Sequence, residues 1–179
     1  MTDLAWATIA ELAPRIRARD VSPVAVVEAA LRRVERRADL NAFLTVTADL
    51  ARGDAEAAAR EIAAGRYRGP LHGIPISLKD LIDTRGIRTT YGSRIFADHV
   101  PDGDATVAAR LRNAGAVLLG KTALHEFAYG VTNNNPHFGP TRNPWAHELP
   151  STTTGRRPSP DQRKRRSTVA LVITSSPST

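Results

Sequence analysis

Apolar positions recur every three to four residues near the start of the chain, then every second residue, and the two periods alternate up to about residue 130. TIAELAPRIRARD and SPVAVVEAALRRVERR predict two helices, the second with Ser22 as N-cap and Pro23 at its first position. In the second helix Val24, Val27, Ala30, Leu31 and Val34 form one stripe, and Arg32, Arg33, Glu35, Arg36 and Arg37 take the other face. Glu28 and Glu35 lie within helical reach of those arginines, so this side reads as a solvated face rather than a nucleic-acid patch. NAFLTV predicts a strand, and DLARGDAEAAAREIAAG an alanine-rich helix closed by Gly65. A turn at Gly69 and Pro70 leads into the strand HGIPISLKD. Short extended pieces around GIRTTYGS and a loop DHVPDGD come next. DATVAARLRNAG then predicts a helix capped by Asp104, AVLLGK a buried strand, and TALHEFAYG a short helix or turn. Residues 131–145 are rich in Asn, Pro and Gly and read as irregular. Strands alternating with helices predict an α/β fold with a largely parallel sheet.

From about Pro150 the pattern breaks. The last 30 residues hold twelve Ser/Thr, four prolines and the cluster RKRR, with apolar periodicity confined to VALVI. The division expected is therefore 1–149 for the folded part and 150–179 for a basic tail that is disordered and unrelated to what precedes it. This division also reinterprets the net charge of +7. Six Lys/Arg against the single Asp161 fall in the tail, which leaves the rest nearly neutral. A polyanion-binding role would then belong to the tail alone, without stacking aromatics, and nucleic acid is not the expected partner.

The absence of cysteine excludes disulfides, thiolate nucleophiles and cysteine-ligated metals. His72, His99, His125, His137 and His147 are scattered without metal-ligand spacing, so no metal is expected. With no secretory segment and no membrane-length apolar run, the chain reads as cytoplasmic with no membrane partner.

GAVLLGKT, residues 115–122, matches the phosphate-loop expression, but its context is wrong. A helix precedes Gly115, and Ala116, Val117, Leu118 and Leu119 are strand formers where a flexible loop is needed. Gly115 is expected to cap the helix and Lys121 to lie at a strand end.

In IPISLK, alternation sets Ile74, Ile76 and Leu78 on one face and Ser77 with Lys79 on the other. A lysine at the end of a buried strand loses hydration, which lowers its pKa and leaves an amine able to take a proton from a hydroxyl. The same placement also suits a lysine that is solvated or paired with a carboxylate. Gly92, Ser93 and Asn133 to Asn135 are small polar turn residues that either border a cleft or only shape the chain.

Taken together, GPLHGIPISLKDLIDTRGIRTTYGS, DATVAARLRNAGAVLLGKTALHEFAYG and NPHFGPTRNPW resemble the N-terminal part of amidase-signature enzymes, over nearly all of residues 4 to 149. The resemblance implies an amidase-signature fold, a mixed, largely parallel sheet wrapped by helices, present here only in part, and hydrolysis of carboxamide C–N bonds by a Ser–cisSer–Lys triad without metal or cofactor. The family includes the glutaminase subunit of tRNA-dependent amidotransferases. Its catalytic lysine corresponds to Lys79, and a small-molecule amide is the implied substrate. After NPW the family continues into glycine-framed serine segments that supply the bridging serine and the nucleophile, and this chain has neither. Thr153 or Thr154 and Ser178 fall near the two positions by count, but Gly155 is the only glycine in the tail, so the turns that shape such a site are absent. The expectation is an amidase chain interrupted before both serines, through truncation or a shifted reading frame, and inactive alone. The alternatives are a nonenzymatic polyanion-binding protein acting through its tail and a fragment of a glutamine-handling amidotransferase subunit.

Overall fold

The computed structural model describes residues 4–144, 146–150 and 171–173. After a 3₁₀ turn at Leu4–Trp6 come α1 (Ile9–Arg17), α2 (Pro23–Arg36), β1 (Phe43–Val46), α3 (Ala48–Ala63), β2 (Pro75–Lys79), α4 (Thr106–Asn113) and β3 (Val117–Thr122). Two short ladders follow, β4 (Asn134–Asn135) with β5 (Gly139–Pro140) and β6 (Arg142–Asn143) with β7 (Ala146–Pro150). β8 (Leu171–Ile173), inside the predicted tail, runs parallel to β2.

Helix ends follow their local chemistry. Thr8 and Glu11 form a reciprocal capping box on α1, and the Ser22 hydroxyl accepts from Val24 N at 3.2 Å ahead of Pro23. Gly65 takes a left-handed φ of 78° just past α3, as its place in the sequence predicts. Asp104 departs from expectation. α4 begins at Thr106 after Ala105, while Asp104 accepts from Arg85 N at 2.7 Å and pairs with Arg112 at 3.2 Å. The carboxylate ties a loop to the helix instead of capping it.

The main sheet has the order β1-β3-β2-β8, with β2 parallel to β3 and β8, and β1 antiparallel to β3. Both faces are covered, which explains the near-continuous apolar character of β2. Val117 and Leu119 pack with Val27, Ala30, Leu31, Ala51 and Ala55 of α2 and α3. Ile76 and Leu78 pack with Ala108 and Leu111 of α4. Ile74 lies ahead of the strand, at the end of a turn closed by its N–H to Leu71 O, and joins Leu12, Ile16 and Val26 instead. Glu28 meets Arg52 of α3 at 2.7 Å rather than an arginine of its own helix, and Arg33 stacks on Trp6 at 3.7 Å.

β3 carries one extra residue relative to β2. Ile76 pairs with Leu118 but Ser77 pairs with Gly120, so Leu78 faces Lys121 and Lys79 faces Thr122. Gly120 sits where a Cβ would collide with the Thr45 carbonyl of β1, and the His72 ring fills the space a Cβ on Gly115 would need. Both glycines of the phosphate-loop look-alike therefore serve close packing, and the segment between them is Ala116 followed by strand β3.

Candidate active site

The carboxyl ends of β2 and β3 lie side by side, the position at which open α/β sheets gather ligands. Lys79 is the last residue of β2 and is half-buried. Burial lowers its pKa, and among the described residues no hydrogen bond or ion pair reaches its ammonium. Ser77, one pleat back on the same face, is fully buried, and among the described residues its Oγ has no hydrogen-bond partner. This face of β2 thus carries two polar groups with unused bonding capacity, an uncommon condition inside a folded chain.

On the opposite face lies a group that sequence reasoning missed. Lys121 is completely buried, donates to Ile82 O and Thr89 Oγ1 at 2.6 Å each, and stands 3.8 Å from Asp80 Oδ1. Asp80, also fully buried, accepts from Thr90 N at 2.9 Å and from the Thr90 hydroxyl. Burial brings the Lys121 amine down to about 8 against the opposing pull of Asp80, and burial pushes the Asp80 carboxyl up. The one available signal was a lysine inside AVLLGK and an aspartate directly after Lys79, but their meeting is a long-range event.

The loop following Lys79 is folded onto this pair. Tyr91 N donates to Asp80 O at 2.9 Å, and Phe127 N donates to Tyr91 O at 2.8 Å. Tyr91, Phe127 and Ala128 all have left-handed φ, at 53°, 50° and 57°, so three strained non-glycine residues gather at this end of the sheet. The Tyr91 hydroxyl donates to Asp83 Oδ1 at 2.6 Å, and burial followed by that carboxylate pushes its pKa up to about 12. The expected helix or turn at TALHEFAYG is a single 3₁₀ turn, Glu126–Ala128. Gly92, Ser93 and Asn135 prove to be structural links here: Asn135 Nδ2 donates to Gly92 O at 2.7 Å and to Leu124 O at 2.9 Å, and the Ser93 hydroxyl accepts from Ile95 N. Glu126 is held below the usual carboxylate range by the Ser93 hydroxyl and then by His137, whose Nε2 lies 2.8 Å away.

Among the described residues no group of three or more His, Asp or Glu side chains could hold a metal ion, and no helix is long and apolar enough to cross a membrane. Thr153, Thr154, Ser178 and the RKRR cluster lie outside the described residues.

The amidase family model matches residues 25–155, and the chain belongs to that family. Among curated proteins it is similar to a glutamyl-tRNA(Gln) amidotransferase subunit of Acidothermus cellulolyticus, with 48% identity over 146 residues, 81% of this chain and 29% of that protein. The corresponding subunit of Ralstonia nicotianae is 48% identical over 138 residues, 77% of this chain and 28% of that one. Among solved structures, a bacterial aryl acylamidase of the amidase signature family superposes with a TM-score of 0.77 at 30% identity, over 82% of this chain and 31% of its own. The peptide amidase of Stenotrophomonas maltophilia gives 0.73 at 36% identity, over 80% and 31%. The chain thus spans less than a third of the length of these relatives.

Proposed function

We propose that this chain is the lysine-bearing part of an amidase acting on carboxamide C–N bonds of small molecules, with Lys79 as the proton carrier of a Ser–cisSer–Lys triad. The observation that carries the reading is the half-buried Lys79 ammonium at the carboxyl end of β2, without a counter-charge among the described residues. An amine with a lowered pKa can take the proton of a serine through a bridging serine, and later return it to the departing nitrogen. No metal or cofactor enters this scheme. The glycine-framed serines would come from sequence that this chain does not contain, so the isolated chain is inactive.

Two measurements test this. The 179-residue chain should turn over neither aliphatic nor aryl amides. A chimera in which residues 1–149 replace the matching segment of the Acidothermus relative should be active, and Lys79→Ala in it should lower kcat by about 10²–10⁴. A chimera at full rate with Lys79→Ala refutes the assignment. Sequencing the codons for Trp145 to Thr179 tests the interruption, because a frame shift requires an alternative frame encoding a glycine–serine continuation.

The 48% identity to an amidotransferase subunit favours a second reading, a fragment of a glutamine-handling subunit that assembles with other subunits. Co-purification with a second subunit from the source cells supports it, and ammonia release from simple amides without such a partner counts against it.

A further inference from the structure

The Asp80–Lys121 pair is not needed for the apolar core. Two buried charges are costly to desolvate, and a well-packed apolar pair in their place is often as stable or more so. What the pair can supply is a single defined arrangement of the chain around it, and that chain is the end of β2.

Ile82 is gripped from both sides: its N–H donates to Lys79 O at 3.0 Å, and its carbonyl accepts from Lys121 Nζ at 2.6 Å. Asp80 N donates to Thr122 O at 3.0 Å, and Asp80 O accepts from Tyr91 N at 2.9 Å. The Asp80 carboxylate fixes Thr90, whose hydroxyl in turn accepts from Gly92 N at 3.1 Å. Lys121 reaches Thr89 of the same loop. The turn that begins at Lys79 is therefore held by its own backbone bonds, and the two charged side chains add to them contacts with the Ile82 carbonyl, Thr89 and Thr90. Alternation along β2 keeps the Lys79 side chain on the other face, so the pair constrains it through the backbone and does not touch it.

We infer that Asp80 and Lys121 are positioning residues for Lys79: their buried ion pair, anchored on Thr89, Thr90 and the Ile82 carbonyl, fixes the end of β2 so that the amine leaves the strand in one direction. The inference rests on the reading of Lys79 as the proton carrier. A loosened strand end lets the ammonium swing into water and regain its hydration, which returns its titration to that of an ordinary lysine.

The chain has only three lysines, at 79, 121 and 164, so each can be followed by peptide mass spectrometry. Competitive acetylation with acetic anhydride across pH, on the full 179-residue chain and against a model lysyl peptide, reads the Lys79 titration without any catalytic assay. In the wild-type chain it should lie below that of the peptide. In Lys121→Met it should rise to the peptide value, with about a tenfold fall in acetylation at pH 8 for each pH unit moved. Should Lys121→Met lose its circular dichroism signal, the double variant Asp80→Leu with Lys121→Met, which removes both charges and leaves none unpaired, makes the decision. A folded variant whose Lys79 titrates as in the wild type overturns the inference and leaves the pair a folding element only. A wild-type Lys79 that already titrates like the peptide sinks the proton-carrier reading, and the positioning role with it. The two failures are distinguished by which protein shows the ordinary value.

Discussion

Lys79 is the last residue of β2 and Lys121 the last but one of the neighbouring parallel strand β3, and their surroundings are opposite. The end of β3 is closed: Lys121 is fully buried and bound to a carbonyl and a hydroxyl, with a carboxylate close by. The end of β2 is open: Lys79 is half-buried and without a partner among the described residues. The comparison separates two uses of a buried cation. One faces a carboxylate and donates two hydrogen bonds, and serves to hold the chain; the other makes none among the described residues, which is the condition for exchanging a proton with something else.

The sharpest way to break this contrast is by truncation of the side chains. Lys121→Ala should destabilise the chain by about 3–5 kcal/mol, because it strands the Asp80 carboxylate without its counter-charge. Lys79→Ala should move stability by no more than about 0.5 kcal/mol. Urea midpoints of the two variants give the answer, and equal losses would erase the distinction. Gly120→Ala should cost about 1–3 kcal/mol by forcing a methyl group against the Thr45 carbonyl, and thermal melting would register it. Thr89→Val removes one of the acceptors of Lys121 and should cost about 1–3 kcal/mol in the same melting experiment.

A subtler measure is the pH dependence of stability. The folded Lys121 amine titrates at about 8, below its value of roughly 10.4 in an unfolded chain. Between those values the unfolded chain holds a proton that the folded chain has released, so stability should rise with pH from about 8 to about 10.4 and lose that increment as pH falls back to 8. Lys79, lowered by burial alone, should add an increment of the same sign. Urea midpoints measured across this window should flatten more in Lys121→Met than in Lys79→Met.

Local features were the legible part of the sequence. Ser22, Pro23 and Gly65 act through the few bonds next to them and were readable on that account. So was the false phosphate loop, since a helix before Gly115 and strand formers after it are local facts. The misreadings share one cause, competition from distant residues. Asp104 was claimed by Arg85 and Arg112, Glu28 by Arg52, and Ile74 by the cluster of α1 and α2. The antiparallel entry of β1 and the burial of Lys121 depend on pairings across about 40 to 80 positions, which no local pattern records. Lys79 was nominated on the resemblance of ISLKD to the family's lysine segment; the alternation of its strand alone left a solvated or paired lysine equally open. The pair behind it was missed because its two members look ordinary until the sheet brings them together.

The extra residue in β3 has an electrostatic consequence. Without it Ser77 would face Leu119 and Lys79 would face Lys121, on the same side of the sheet. Two ammonium groups would then stand about 5 Å apart, the spacing of neighbouring strands. At an effective dielectric constant of about 20 their repulsion would be about 3 kcal/mol, and each would oppose protonation of the other. The bulge at Leu119 acts as a half-period phase shifter: it sends one cation through to the far side of the sheet and leaves Lys79 to titrate in a field set by its own surroundings.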